Sequence, residues 1–144
     1  MLKKRAAGAI AASSLAVAAT LAMAAPADAA TVGMRCDKFG YYSTGNVNYT
    51  NSGTRHNIYS YDWVIHGQAN STQNDVAVTL YRDRTGPDET LHGFASGREK
   101  NGYGVTAVSL SYPTSYKLYG SFYFVFDVNN VEPDPRCSGE TTRF

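Results

Sequence analysis

The amino-acid sequence predicts an all-β protein, an antiparallel β-sandwich of about seven strands with one disulfide. Three observations carry that expectation. Apolar residues come in short alternating runs, with Gly, Asn, Ser and Thr between them at close intervals. No segment after Ala30 holds a helical apolar period over several turns. Two cysteines, Cys36 and Cys137, stand near the two ends of one domain-sized stretch. A small closed barrel is the rival architecture, because the same strand pattern suits both.

The disulfide expectation follows from the start of the chain. Lys3, Lys4 and Arg5 form a basic opening, residues 6–23 are dominated by Ala, Leu, Val and Ile, and Ala27-Asp28-Ala29 is a small-x-small cleavage pattern. This order predicts a signal peptide over residues 1–29 and a single domain over 30–144, located outside the cell. A retained membrane anchor is the rival, but the run is Ala-rich and short of the ~20 strongly apolar residues that a span needs. Outside the cell, Cys36 and Cys137 are expected to pair. The bridge would close a loop of roughly 100 residues, worth up to ~4–5 kcal/mol in the chain-entropy picture.

The strands can be placed in order. Thr31 to Met34 is a free extended start, and Val47 to Thr50 is a short strand before the turn Asn51-Ser52-Gly53. His56 to His66 alternates, with Tyr59, Tyr61, Trp63 and Ile65 on one face and His56, Ser60, Asp62 and His66 on the other. Asp75 to Arg82 puts Val76, Val78 and Leu80 on one side; Gly86-Pro87 breaks the chain, and Glu89 to Phe94 returns as a hairpin partner. Tyr103 to Tyr112 changes apolar phase between Val105 and Val108, which predicts a bulge there. Tyr116 to Val128 is the strongest strand, and residues 129–144, with Pro133 and Pro135, read as an irregular tail. Trp63 is expected to anchor the core against Phe122, Phe124 and Phe126.

Little in the chain points to catalysis, cofactors or nucleic acid. The sequence has 13 basic and 12 acidic residues; without Lys3, Lys4, Arg5 and Asp28 the balance is 10 against 11, with no basic run for nucleic acid or an anionic membrane. No Gly-x-Ser-x-Gly elbow and no His-Glu-x-x-His occurs. His56 and His66, on one phase of a regular strand, would lie about 33 Å apart and read as solvent-facing. Asp83, Asp88 and Glu89 crowd the Gly-Pro turn, where oxygens could hold calcium, but Asp is also a common turn residue. Asp62 and Glu99 are a conceivable acid pair with nothing to bring them together. Two glycosylation sequons, at Asn48 and Asn70, are given no weight as a functional signal. The expectation is no enzyme, no metal and no cofactor.

Tyrosine is the stronger signal. All 11 tyrosines follow the leader. Tyrosine suits strands in general, and it is also enriched at interfaces. In Tyr116–Val128 one phase carries Leu118, Phe122, Phe124, Phe126 and Val128, and the other carries Tyr119, Tyr123 and Val125. If the phenylalanines fill the core, the tyrosine side faces outward, and either a loop or another protein covers it.

The order of these features resembles a group of small exported actinobacterial β-sandwich proteins of unknown function: the stretch Gly45 to Asn51, then Tyr61-Asp62-Trp63, Asn74-Asp75-Val76 with Tyr81-Arg82, Phe122 to Asp127, and a late cysteine. It is also similar to the small adaptor subunit of umbrella-shaped toxin particles, which joins a lectin-like subunit to the repeat spokes of a large toxin chain. That resemblance implies a non-enzymatic protein that binds another secreted protein, docking through Tyr119, Tyr123 and Val125 and through the free strand at Thr31, Val32 and Met34. Two alternatives stay open. One is a carbohydrate-binding module that uses Tyr41 or Tyr42 as stacking platforms. The other is a secreted protease inhibitor that presents the loop Arg82 to Asp88.

Overall fold

A computed structural model describes residues 28–144. The predicted leader lies outside the described residues except for Asp28 and Ala29, which already belong to the first strand. Eight strands form: β1 (Asp28–Lys38), β2 (Tyr41–Ser52), β3 (Arg55–His66), β4 (Asn74–Asp83), β5 (Glu89–Glu99), β6 (Gly102–Pro113), β7 (Lys117–Val125) and β8 (Arg136–Glu140). They make two antiparallel four-stranded sheets, ordered β1-β2-β3-β6 and β5-β4-β7-β8. The two sheets stay separate, so the fold is a sandwich and not a barrel. The chain changes sheet three times, at β3–β4, β5–β6 and β6–β7.

The core follows from the period-two pattern of β7 and its neighbours. Leu118, Phe122, Phe124 and Phe126 are fully buried, as are Val76, Val78 and Leu80 of β4. Facing glycines let the rings in. A side chain at Gly45 would collide with the Phe122 ring, and one at Gly104 with the Trp63 indole. Trp63 is buried as expected, but its stacking partner is Phe94 of β5, with ring centroids 5.6 Å apart. Phe122, Phe124 and Phe126, from β7 and the segment just after it, share the buried core with Trp63, and Phe122 packs on Gly45, the cross-strand neighbour of Trp63.

Three strand expectations need correction. The start of the domain is not a loose end: β1 pairs with β2 along its whole length, from Asp28↔Asn51 to Lys38↔Tyr41. The tail is not irregular throughout, because Arg136–Glu140 pairs with β7 once Pro133 and Pro135 are passed. The burial phase changes in β3 and not in β6, although β6 does carry an extra residue close to the expected bulge, with Val108 and Ser109 opposite Tyr59 alone. The β2–β3 register jumps between Asn48 and Tyr49, and the β3–β6 register jumps between Ile58 and Ser60. Tyr59 is therefore pushed out to solvent. His56 and Ile58 turn inward on one side of it, and Tyr61, Trp63 and Ile65 on the other. Strand β6 keeps one phase from end to end.

One lateral seam of the sandwich is closed covalently. Cys36 of β1 and Cys137 of β8 form the disulfide, 101 residues apart in sequence. Beside it the buried Met34 packs over Gly139, where any side chain would collide with it. At one end of the sandwich the buried Asn74 ties three loops together. Its amide donates to the Glu99 carbonyl (3.0 Å) and to Asn101 Oδ1 (3.2 Å), and its Oδ1 accepts from the Asp127 N–H (3.1 Å). This satisfies a fully buried amide, which would otherwise destabilise the core by ~1–3 kcal/mol.

Replacing both cysteines by serine is expected to cost about 2–5 kcal/mol of unfolding free energy without changing the sheet arrangement. Urea unfolding followed by Trp63 fluorescence measures this. A loss near zero would show that the β1–β8 seam is held by packing alone.

Candidate binding surface

The two outer faces of the sandwich differ. Across β1, β2 and β3, the Thr31 hydroxyl donates to Asn48 Oδ1 (2.7 Å). The Asn48 amide donates to Ser60 Oγ (3.1 Å) and to Asp62, and the Asn46 amide also donates to Asp62 (2.7 Å). Thr31, expected at a docking surface, is thus tied into a polar ladder of its own sheet. Val32 is half-buried and Met34 is buried against β8. Of the three residues on the expected docking strand, only Thr31 is exposed.

The other face, on β5-β4-β7-β8, carries the remaining expected residues and separates them. Tyr119 is buried, contrary to expectation. Its ring stacks on Tyr81, the cross-strand neighbour, at 5.2 Å, and the Arg143 guanidinium lies 4.2 Å above it. Its hydroxyl donates to Asp88 (2.7 Å), so the 83–88 turn and the residues after β8 cover it from two directions. Burial, followed by the Asp88 carboxylate, pushes the Tyr119 phenol upward; the same hydrogen bond, together with the Arg84 N–H, holds Asp88 below the ordinary carboxylate range.

Tyr123, two rungs along the same face, is 40 % exposed. It pairs with Ala77 on one side and Ser138 on the other, and Val125 pairs with Asp75 and Arg136. The small side chains beyond them leave a shallow depression of about 330 Å³ lined by Asp75, Ala77, Ala95, Gly97, Tyr123 and Val125. Its lining is largely apolar, with Asp75 the charged residue among it. Alanine and glycine at these outward positions were the sequence signal for the depression, but it became legible only once β4, β5 and β7 were in register.

The remaining candidates are engaged within the chain. Tyr42 is sandwiched between His66 (4.0 Å) and Arg35 (4.2 Å) and offers no open ring face, while Tyr41 is half-buried and packs toward Phe126 (5.7 Å). The carboxylates of the Gly-Pro turn are paired with cations or donors: Asp83 with Lys117 and Arg143, Glu89 with Arg82 and Arg84, and Asp88 with Tyr119. Among the described residues, no three metal-ligating side chains come together. Asp62 and Glu99 lie on strands of different sheets. Comparison with known protein families, curated proteins and solved structures finds no match to this chain.

His56 is not solvent-facing. It is 7 % exposed, its Nδ1 lies 2.6 Å from Asn51 Oδ1, and its Nε2 is buried without a partner. Tyr49 and Phe144 box it in at ring distances of 5.8 and 5.5 Å. Burial pushes its pKa below 6.5, and the nearby backbone of Tyr116 and Thr114 offsets part of that shift. The folded state therefore disfavours the imidazolium. The unfolded state binds more protons once the pH falls to about 6.5, so stability drops as the pH falls further, down to the depressed folded value. His56→Gln should flatten that part of the profile, measured as the urea midpoint between about pH 7 and pH 5. An unchanged slope would place the proton-sensitive group elsewhere.

The two tyrosines should behave differently on substitution. Tyr119→Phe is expected to cost about 1 kcal/mol, for the lost bond to Asp88. Tyr119→Ala should cost about 2–4 kcal/mol, for the lost packing on Tyr81 and Arg143. Tyr123→Ala should stay within about 0.5 kcal/mol of the parent, as at other surface positions. Chemical denaturation of the three variants tests the assignment.

Proposed function

We propose that this chain is an exported, non-catalytic β-sandwich that binds another protein through the outer face of β5-β4-β7-β8. The single observation behind this reading is the half-exposed Tyr123 beside an apolar, small-residue depression. A tyrosine set next to a hollow is suited to receive an apolar side chain of a partner, with the phenol tip free at the wet rim. Asp75 and Arg136 on the same row add charges of both signs, which help fix register without demanding a strongly charged partner. The Cys36–Cys137 bridge supports export, since such bridges persist outside the cell. The resemblance to toxin-particle adaptors suggests the kind of partner, a larger exported chain that the sandwich would connect to a second subunit.

One feature favours the protease-inhibitor reading as the second choice. Residues 84–88 are exposed, yet the turn is braced by the Arg84 N–H bond to Asp88 (3.1 Å), the Tyr119 bond to Asp88 and the Arg82–Glu89 ion pair (3.3 Å). The carbohydrate reading has no comparable support, because both faces of the Tyr42 ring are occupied.

Capture on immobilised protein from the culture fluid of the producing cells tests the proposal. The expected result is one partner at near-stoichiometric amount, lost in Tyr123→Asp and retained in Arg84→Glu. Loss in Arg84→Glu with retention in Tyr123→Asp would transfer the function to the turn. Recovery of the chain alone would overturn both.

A further inference from the structure

Four strands lie at sheet edges: β1 and β6 in one sheet, β5 and β8 in the other. Edge strands expose unpaired backbone groups, and proteins guard them with charges, proline, bulges or shortness. Three of these edges are guarded. β1 carries Asp28, Arg35, Asp37 and Lys38 and is bridged to β8. β8 is five residues long, follows Pro135 and carries Arg136 and Glu140. β5 carries Glu89, Arg98 and Glu99, and its pairing with β4 is irregular in two places. β6 has the weakest guard: one register irregularity against β3, where Val108 and Ser109 stand opposite Tyr59 alone, and no charge along its run. Its 12 residues, GYGVTAVSLSYP, contain no Asp, Glu, Lys or Arg, and its only proline is the last residue.

The surroundings of β6 also look incomplete. β5 and β6 face each other across the second seam of the sandwich without pairing. Val108, Leu110 and Tyr112 of β6, with Leu91 and Phe94 of β5, reach the core but remain only partly buried. On the outer side, Tyr103 and Val105 are 69 % and 55 % exposed. A cation reaches this edge from β3: the Arg55 guanidinium donates to Ser111 Oγ (2.8 Å) and to the Ser111 carbonyl.

We propose that β6 pairs antiparallel with β6 of a second copy, around a two-fold axis through Ala107, joining two four-stranded sheets into one of eight. The occupant is argued from the residue order. With Ala107 opposite Ala107, Val105 meets Ser109 and Tyr103 meets Ser111 on the outer face. On the inner face Thr106 meets Val108, Gly104 meets Leu110 and Gly102 meets Tyr112. Away from the near-matched pair at Thr106, a larger side chain falls opposite a small one, so the strand is its own complement in size. The two-fold axis makes the contact isologous and closes it at two copies. Pro113, which has no N–H, falls beyond the last pair. Tyr103 of each copy lands beside Arg55 and Ser111 of the other, where ring and guanidinium can stack. This pairing surface is separate from the Tyr123 depression and does not depend on it.

Analytical ultracentrifugation of protein expressed from the complete sequence tests the pairing. The expected species is a dimer. Ala107→Lys sets two ammonium groups against each other on the axis and should raise the dimer dissociation constant by about a hundredfold or more. Because Ala107 is solvent-facing, the thermal midpoint of the separated chain should not change. Directly opposed residues on antiparallel strands lie about 4.5–5.5 Å apart at Cα, within disulfide reach. Ala107→Cys should therefore form a covalent dimer under mild oxidation, whereas Ser138→Cys on the guarded β8 edge should not. A monomeric parent protein overturns the proposal. So does a dimer that survives Ala107→Lys or fails to cross-link through position 107. A monomer whose partner capture is lost in Ala107→Lys would assign the edge to a foreign strand instead, and would also overturn self-pairing.

Discussion

The structure depends on how closely its two sheets approach through glycine. Phe122 occupies space that a side chain at Gly45 would fill, and Met34 does the same over Gly139. Gly120 leaves room for Val47 in the same way. These contacts bring β2 against β7 and β1 against β8. Large rings on one sheet face missing side chains on the other, which is how a thin sandwich reaches interior packing density with few residues. The Cys36–Cys137 bridge depends on that approach, because it forms where the two edge strands already meet.

That geometry leaves the molecule asymmetric. The β1–β8 seam is closed by sulfur, by Met34 and by charged edge residues. The β5–β6 seam has no bridge, and its apolar residues are only partly buried. Trp63 and Phe94 stack across the interior near the open seam, and Tyr61 reaches His92 (3.2 Å) beside them. The rings at this edge are half covered, and their polar tips are satisfied within the chain.

Much of the architecture was legible in the sequence because period-two patterning reports burial directly. The row Leu118, Phe122, Phe124, Phe126 and Val128 and the row Val76, Val78 and Leu80 were read correctly, and so was the cysteine pair. The misreadings have a common cause. Local pattern shows that a residue leaves the core, not what it meets afterwards. Tyr119 and Tyr123 are equivalent in the pattern of their strand. Only the path of residues 83–88 and 141–144, set by Asp88 and Arg143, buries one and leaves the other. Tyr59 failed for a related reason. A bulge costs one residue of register, and nothing at Ile58-Tyr59-Ser60 announces it until both neighbouring strands are aligned. The strand at Arg136–Glu140 was hidden by the prolines before it, which mark where pairing begins and not where it is forbidden.

The two-sided β7 strand posed a question about what lies over its second face, and the chain supplies half of the answer. Near Tyr119 the cover is internal and polar at its tip: a tyrosine beneath, a guanidinium above and a carboxylate at the hydroxyl. Near Tyr123 the same face is bordered by Ala77, Ala95 and Gly97, side chains too small to reach over it. A sheet that only needed to fold could carry Thr or Lys at those outward positions and gain solubility. An apolar hollow beside an exposed ring instead leaves apolar surface in water, and it is on this difference that the proposed contact role of the face rests.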